Sequence, residues 1–245
     1  MLRVNKKQTG FTLVEVAIVL VIVGLLIGSF IGTVASRIDM TLRNETSAEL
    51  EEIKNVLMAY AFSKAPQPYL PCPDVTVPPD GLEDRTMGIC DAVGAVGTLP
   101  WRDLGLGFDD AWGARYRYWV SSNYTDSNTG FTLASADVGG GNSLIQTRLG
   151  DVNTNIVQNA VAVIFSHGKN GLGGVSVSGI NLPPIPAVGN GHDDENENVD
   201  ANSVFMSRLP SEEGSAAIGG VYDDILIWIN SYEIKAKMVA TGVLP

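Results

Sequence analysis

The sequence predicts an α+β fold, with one long N-terminal helix carrying a head built on a small antiparallel sheet. Three observations lead there. Val16 to Ser36 holds no charged side chain. Apolar residues then recur at three- or four-residue intervals through Leu50, Ile53, Leu57 and Tyr60. Short β-branched or aromatic runs follow, separated by Gly- and Pro-rich turns. With 245 residues, 45% of them hydrophobic, the chain can bury a real core beyond such a helix.

The uncharged run makes a helix of roughly 30 Å, the thickness of a bilayer's hydrocarbon core. A helix also satisfies its own backbone in lipid. Arg3, Lys6 and Lys7 precede it with no accompanying acid, so the positive-inside bias places the N-terminus in the cytoplasm and the bulk of the chain outside. A cleaved secretory signal is the rival reading, with Thr33 and Ala35 as small residues for a peptidase. Against it, the apolar stretch outruns the roughly 7–15 residues of a signal core and begins with Glu15. Gly24, Gly28 and Gly32 share one helix face and permit close helix approach, although glycine is common in membrane helices generally.

Glu15 is the anomaly. A carboxylate at membrane depth costs a few kcal/mol unless it reaches headgroups, water or a cation. It reads either as an interfacial group that stays wet or as one with a partner. The nearest unusual partner is an α-amine created by cleavage before Phe11. Such a pair gives register and specificity more reliably than net affinity.

These residues carry a family resemblance. Lys6-Lys7-Gln8-Thr9-Gly10-Phe11-Thr12-Leu13-Val14-Glu15 resembles the class III leader junction of type IV prepilins and type II secretion pseudopilins, with Gly before the cut, Phe after it and Glu four residues beyond Phe. The resemblance implies a pilin-like fold and a cytoplasmic leader, residues 1–10, removed by a prepilin peptidase that also N-methylates Phe11. Residues 11–36 are then the transmembrane half of the stem helix, 37–65 its extracytoplasmic half and 66–245 a globular head with Gly-rich loops. Glu15 takes the family's register role, meeting the Phe11 amine of an adjacent subunit. Many pilins loosen the later membrane segment with a Pro; here none precedes Pro66, and Gly32 is the comparable weak point. Asp110-Ala111-Trp112-Gly113 is similar to the Asp-Pro-Trp-Gly segment of major pseudopilins, with Ala111 in place of Pro. That departure and the long Gly-rich expansion point to a minor or specialised member.

The stem helix is expected from about Thr12 to Lys64, with Pro66 and Pro68 preventing its continuation. Asp39 with Arg43, and Glu51 with Lys54, fall at pairing distance along it. Residues 66–111 read as loop, with Trp101, Leu104 and Leu106 covering the stem. Cys72 and Cys90 are the only cysteines, and in an oxidising compartment they can close a bridge that stabilises by roughly 3 kcal/mol. They do not suggest zinc, because His167 and His192 are distant in sequence. Strands are expected at Arg115–Val120, Phe131–Ala134 and Val161–Phe165. Asp224–Ile229 reads as strand or short helix, and Ser231 as the cap of a last helix through Val239.

Asn170–Gly191 reads as loop. The following "GHDDENENVD" packs five acids between Asp193 and Asp200. It is either a solvated acidic loop or an oxygen-donor site for calcium, the ion that stabilises the analogous region of some pseudopilins. Asp193, Glu195 and Asp200 are the candidate ligands. The spacing departs from an EF-hand.

No enzyme is expected. Ser166 and His167 are adjacent, and neighbours on a strand face opposite sides. Neither a P-loop nor an HExxH helix occurs. A net charge of -11 disfavours nucleic acid. The expected role is a filament subunit that starts in a bacterial inner membrane as a single-pass protein with a periplasmic head. It then moves into a periplasmic pseudopilus or surface pilus. Its partners are the prepilin peptidase, other pilins, and an inner-membrane assembly platform with its ATPase. The alternative is a minor tip subunit that binds cargo, a surface or DNA.

Overall fold

The computed structural model describes residues 12–107, 109–137, 142–149, 152–200, 202–214 and 216–244; the side chains of residues 29–35 and 149 fall outside that description. The first helix, α1 (Leu13–Ser63), matches the expected span to within a residue at each end. The chain divides within it into two compact units, Met1–Leu42 and Arg43–Pro245.

In the first unit, the apolar side chains between Leu13 and Ile27 are exposed, as is Glu15 among them; Leu13 is 86% and Leu25 72% accessible. Among the described residues, no helix is long and apolar enough to cross a membrane. The described side chains of this run end at Gly28 and resume at Ser36, so they cover only part of the uncharged segment.

The second unit holds the core. After α1 come β1 (Arg85–Thr86), β2 (Ile89–Cys90), β3 (Gly97–Thr98), α2 (Trp101–Leu104) and β4 (Arg117–Val120). Then follow β5 (Ser143–Leu149), β6 (Val152–Ser166), α3 (Asp193–Glu197), β7 (Val204–Met206), β8 (Ile225–Asn230) and α4 (Ser231–Ala240). β1 and β2 form a hairpin. The other six strands form one sheet ordered β3-β4-β6-β5-β7, with β8 also paired to β6. The sheet is larger than expected and mixed: β7 joins β5 in parallel, while the remaining pairings are antiparallel.

β6 organises the head. Its first part pairs with β5 and its last part lies between β4 and β8. Ala160 to Phe165 are fully buried, as expected of a strand covered on both faces. One face places Tyr118, Val120, Val161 and Ile164 against Leu50, Ile53, Leu57 and Met58 of α1 and Ile234 and Met238 of α4. The other face gathers Trp119, Ile145, Val163, Phe165 and Phe205. Each buried Leu or Ile of α1 contributes on the order of 2 kcal/mol, which fixes the apolar stripe of the helix against the sheet.

The loop between α1 and β4 is tied down at several points. Cys72 and Cys90 are disulfide-bonded. Glu83 accepts the Cys72 amide at 2.9 Å and the Tyr60 hydroxyl at 3.0 Å. Trp101 is buried beneath the Arg115 guanidinium, 3.8 Å from its ring centre, and Leu104 and Leu106 pack against the core as expected.

Three local expectations are corrected. Phe131–Ala134 is not a strand. Lys235 Nζ donates to the carbonyls of Leu133 (2.9 Å) and Ser135, and those bonds hold the segment in a turn against α4. The residue capping α4 is Asn230, whose side chain accepts the Glu233 amide at 2.7 Å, while Ser231 lies inside the helix. The acidic run is no open loop either: Asp193–Glu197 forms the short helix α3, with Asp194 and Glu195 buried.

Candidate functional site

Two places carry unusual chemistry: the start of α1 and a buried acidic cluster in the head.

Gly10 and Phe11 lie outside the described residues. The helix begins just beyond them. Thr12 Oγ1 accepts the Glu15 amide at 3.2 Å, and Glu15 Oε2 accepts the Thr12 amide at 3.4 Å. This is a capping box, in which a Thr and an acid three residues later satisfy donors the helix leaves unpaired. A carboxylate in the first turn also suits the positive end of the helix dipole. Glu15 is exposed, so its outward side remains available. A Cβ added at Gly24 or Gly28 would meet nothing within 4 Å, which leaves that face open; the side chain of Gly32 is outside the description.

The Asp110–Gly113 segment is a structural turn. Asp110 Oδ1 accepts the amides of Trp112 (3.0 Å) and Ala114 (2.9 Å), and its Oδ2 accepts the Ser166 hydroxyl. Gly113 has φ +81°, a left-handed value that favours glycine. Burial pushes the Asp110 carboxyl up, against the pull of the Ser166 hydrogen bond. Ser166 is therefore committed to Asp110, and its neighbour His167 points elsewhere, as strand alternation requires.

The register of the sheet says where. Ser166 pairs with Ile225 across the β6–β8 ladder, so one step further His167 comes opposite Asp224. His167 Nδ1 lies 3.7 Å from Asp224 Oδ1, and both side chains are buried. Asp223 and Glu195 complete the group: one oxygen from each of Glu195, Asp223 and Asp224 lies within 4.8 Å of the others. Gly168 lets the turn after β6 close on this strand, since a Cβ there would sit 2.3 Å from the Asp223 carbonyl oxygen. Burial, with Asp224 and Glu195 alongside, pushes the Asp223 carboxyl up to about 7.

The remaining oxygens are held by hydrogen bonds. Asn170 Nδ2 and His192 Nδ1 reach the two oxygens of Glu195, both at 2.8 Å. The Asn170 amide donates to Asp223 Oδ2 at 2.8 Å, and Asn198 donates to Asp224 Oδ2 at 2.7 Å. Of the three sequence-predicted ligands, only Glu195 enters this group. Asp193 accepts the Gly189 amide at 2.6 Å, and Asp200 accepts from Asn202. The next residue, Asp194, is fully buried between Arg148 (2.6 Å) and Arg208 (2.5 Å) and anchors α3. Asp223 and Asp224 escaped the sequence reading because they stand 28 and 29 positions beyond Glu195, and only the β8 register brings them near it.

One comparison with known proteins finds a match, at the N-terminus. Residues 5–31 match the prokaryotic N-terminal methylation motif, the hallmark of type IV prepilin and pseudopilin proteins. The motif supports a type IV pilin-like protein processed at its N-terminus. No curated protein and no solved structure matches the chain.

Proposed function

We propose that this chain is a structural subunit of a type II secretion pseudopilus or a type IV pilus-like filament. Prepilin peptidase cleaves between Gly10 and Phe11 and methylates the new terminus. The uncharged segment from Val16 to Ser36 holds the precursor in the inner membrane with its head in the periplasm, and an assembly platform driven by an ATPase moves it into the fibre. The pilin-like family is structural rather than catalytic.

One observation carries this reading: the methylation motif runs directly into a helix whose apolar side chains, Leu13 through Ile27, are exposed. Such a surface needs cover. Lipid supplies it before assembly, and neighbouring stem helices supply it afterwards. Packing of small-residue faces such as Gly24 and Gly28 favours the exchange. The gain is modest because lipid already covers the stem, which is why assembly needs an external motor. In the fibre, Glu15 exchanges its long bond to the Thr12 amide for the charged Phe11 amine of a neighbour, setting the axial register.

A minor tip subunit with a binding role is the second reading. It is favoured by Ile180 and Val188, which stand 67% and 76% exposed on the Gly-rich segment before α3. Stoichiometry in sheared filaments separates the two. Many copies per filament support the shaft role; one or a few copies overturn it in favour of the tip.

A further inference from the structure

We propose that the outer edge of β8 receives an extended segment of a partner protein as an added strand, a segment carrying apolar side chains and a basic residue. The proposal goes beyond filament assembly and does not rest on it.

The sheet register leaves that edge open. The Ser121 amide donates to the Val161 carbonyl. Val161, Val163 and Phe165 therefore turn their backbone groups toward β4, and Ala162, Ile164 and Ser166 turn theirs toward β8. Ile229, Ile227 and Ile225 answer them as the register partners of those three. The alternate residues, Leu226 and Trp228, aim their amides and carbonyls away from the sheet. Among the described residues, no hydrogen bond reaches those groups.

Other edges of the same sheet are guarded. On β7 the Val204 and Met206 amides donate to the side chains of Asn202 and Asn198, both at 2.7 Å. On β3 the Thr98 amide donates to the Asp74 carbonyl at 2.7 Å, and the Asp74 amide donates back at 2.9 Å. β8 has neither device, and its sequence Ile-Leu-Ile-Trp-Ile-Asn holds no charge and no Pro to discourage pairing. An uncharged strand of this composition with a free edge is a template for another strand. An extended main chain presents donors and acceptors at the spacing such an edge needs.

A groove of about 370 Å3 between α1 and β8 gives the added strand room. Ser47, Glu51 and Lys54 of α1 line one side of it, and Ile225 to Trp228 the other. Ile225 and Ile227 pack on the α1 face of the sheet, Leu226 and Trp228 on the opposite face, so both rows of an incoming strand's side chains meet apolar neighbours. The charges choose among occupants. Lys54 is already paired with Glu233 at 2.8 Å. Glu51 is exposed and has no ion-pair partner among the described residues, so a basic side chain on the incoming strand would complement it. A second copy pairing edge to edge would offer β8 itself, which holds no cation, on a molecule of net charge -11. The groove therefore favours a different, basic partner.

The test uses the full-length chain in detergent and a short fluorescein-labelled peptide of alternating valine and threonine with one central lysine, read by fluorescence anisotropy. Saturable binding is expected. Methylating every backbone nitrogen of the peptide, which removes its donors and keeps its side chains, should weaken binding at least about tenfold. Leu226→Pro should do the same, because it removes an outward donor and no bond of the β6 ladder. Should that variant fail to fold, Glu51→Lys on the exposed helix face carries the comparison: it should weaken the lysine peptide and strengthen one with glutamate in its place. No saturable binding up to about 1 mM, equal binding of the methylated peptide, or self-association of the chain through β8 that excludes the peptide would each overturn the proposal.

Discussion

Glu15 serves its own helix before it serves any neighbour. Its carboxylate and the Thr12 hydroxyl satisfy each other's backbone donors, a contribution of about 1 kcal/mol to the helix start. Glu15→Ala is therefore expected to leave insertion and cleavage intact, because neither depends on that cap, while filament yield falls sharply. Wild-type filament yield from this variant would remove the register role. Asp194 gives a contrasting case in the head. It is buried between two arginines, and taking away one partner of a buried ion pair leaves uncompensated charge behind. Asp194→Asn is expected to lower the unfolding free energy by about 3 kcal/mol, measured by urea denaturation. A loss close to zero would mean that α3 is held by its other contacts alone.

Lys235 explains why the segment before β5 is a turn, and it makes that segment sensitive to pH. Its ammonium donates to Asp137 Oδ1 at 2.6 Å, and this hydrogen bond holds the Asp137 carboxyl below the usual carboxylate range. A carboxylate whose folded pKa is depressed adds stability above its unfolded pKa and loses it as pH falls through the folded one. The stability difference between wild type and Asp137→Asn should therefore be present at neutral pH, at most about 1 kcal/mol for so exposed a group. It should vanish in acid; a difference independent of pH would contradict the pairing. The disulfide acts on the preceding loop: with a sequence separation of 18, replacing both cysteines by serine should cost about 3 kcal/mol in the same assay.

The elements that could be read from sequence are those with a strong local pattern. α1 has its apolar stripe and terminal prolines, and the end of β6 has its continuous apolar run. β5 and the beginning of β6 left no such trace. Val152 to Ile156 are exposed, so Asn153, Thr154 and Asn155 show no apolar alternation, and only pairing with β5 makes them strand. The head cluster was hidden for a related reason. An acidic stretch looks solvated in sequence, and nothing local says that α3 turns Asp194 and Glu195 inward or that β8 delivers Asp223 and Asp224. His167 was visible as a histidine beside a serine; its burial belongs to the fold.

For the molecule as a whole, the proposed function asks one apolar helix to live in two settings in turn. The sequence sets this up at both ends of the helix: the methylation motif, residues 5–31, spans its start, and a core that includes Leu50, Ile53 and Leu57 holds its far half. The apolar side chains of the near half are exposed between Leu13 and Ile27; in the proposed function lipid covers them first and other subunits later. In that proposal, removal of the leader is the step on which the exchange depends, because it would create the amine that Glu15 meets. Intact-mass analysis of the chain recovered from native membranes or fibres tests this most directly. The account predicts a polypeptide beginning at Phe11 and bearing one added methyl group. A native chain that still begins at Met1, or one that begins at Ser36 and is found free of membrane and fibre alike, would contradict it.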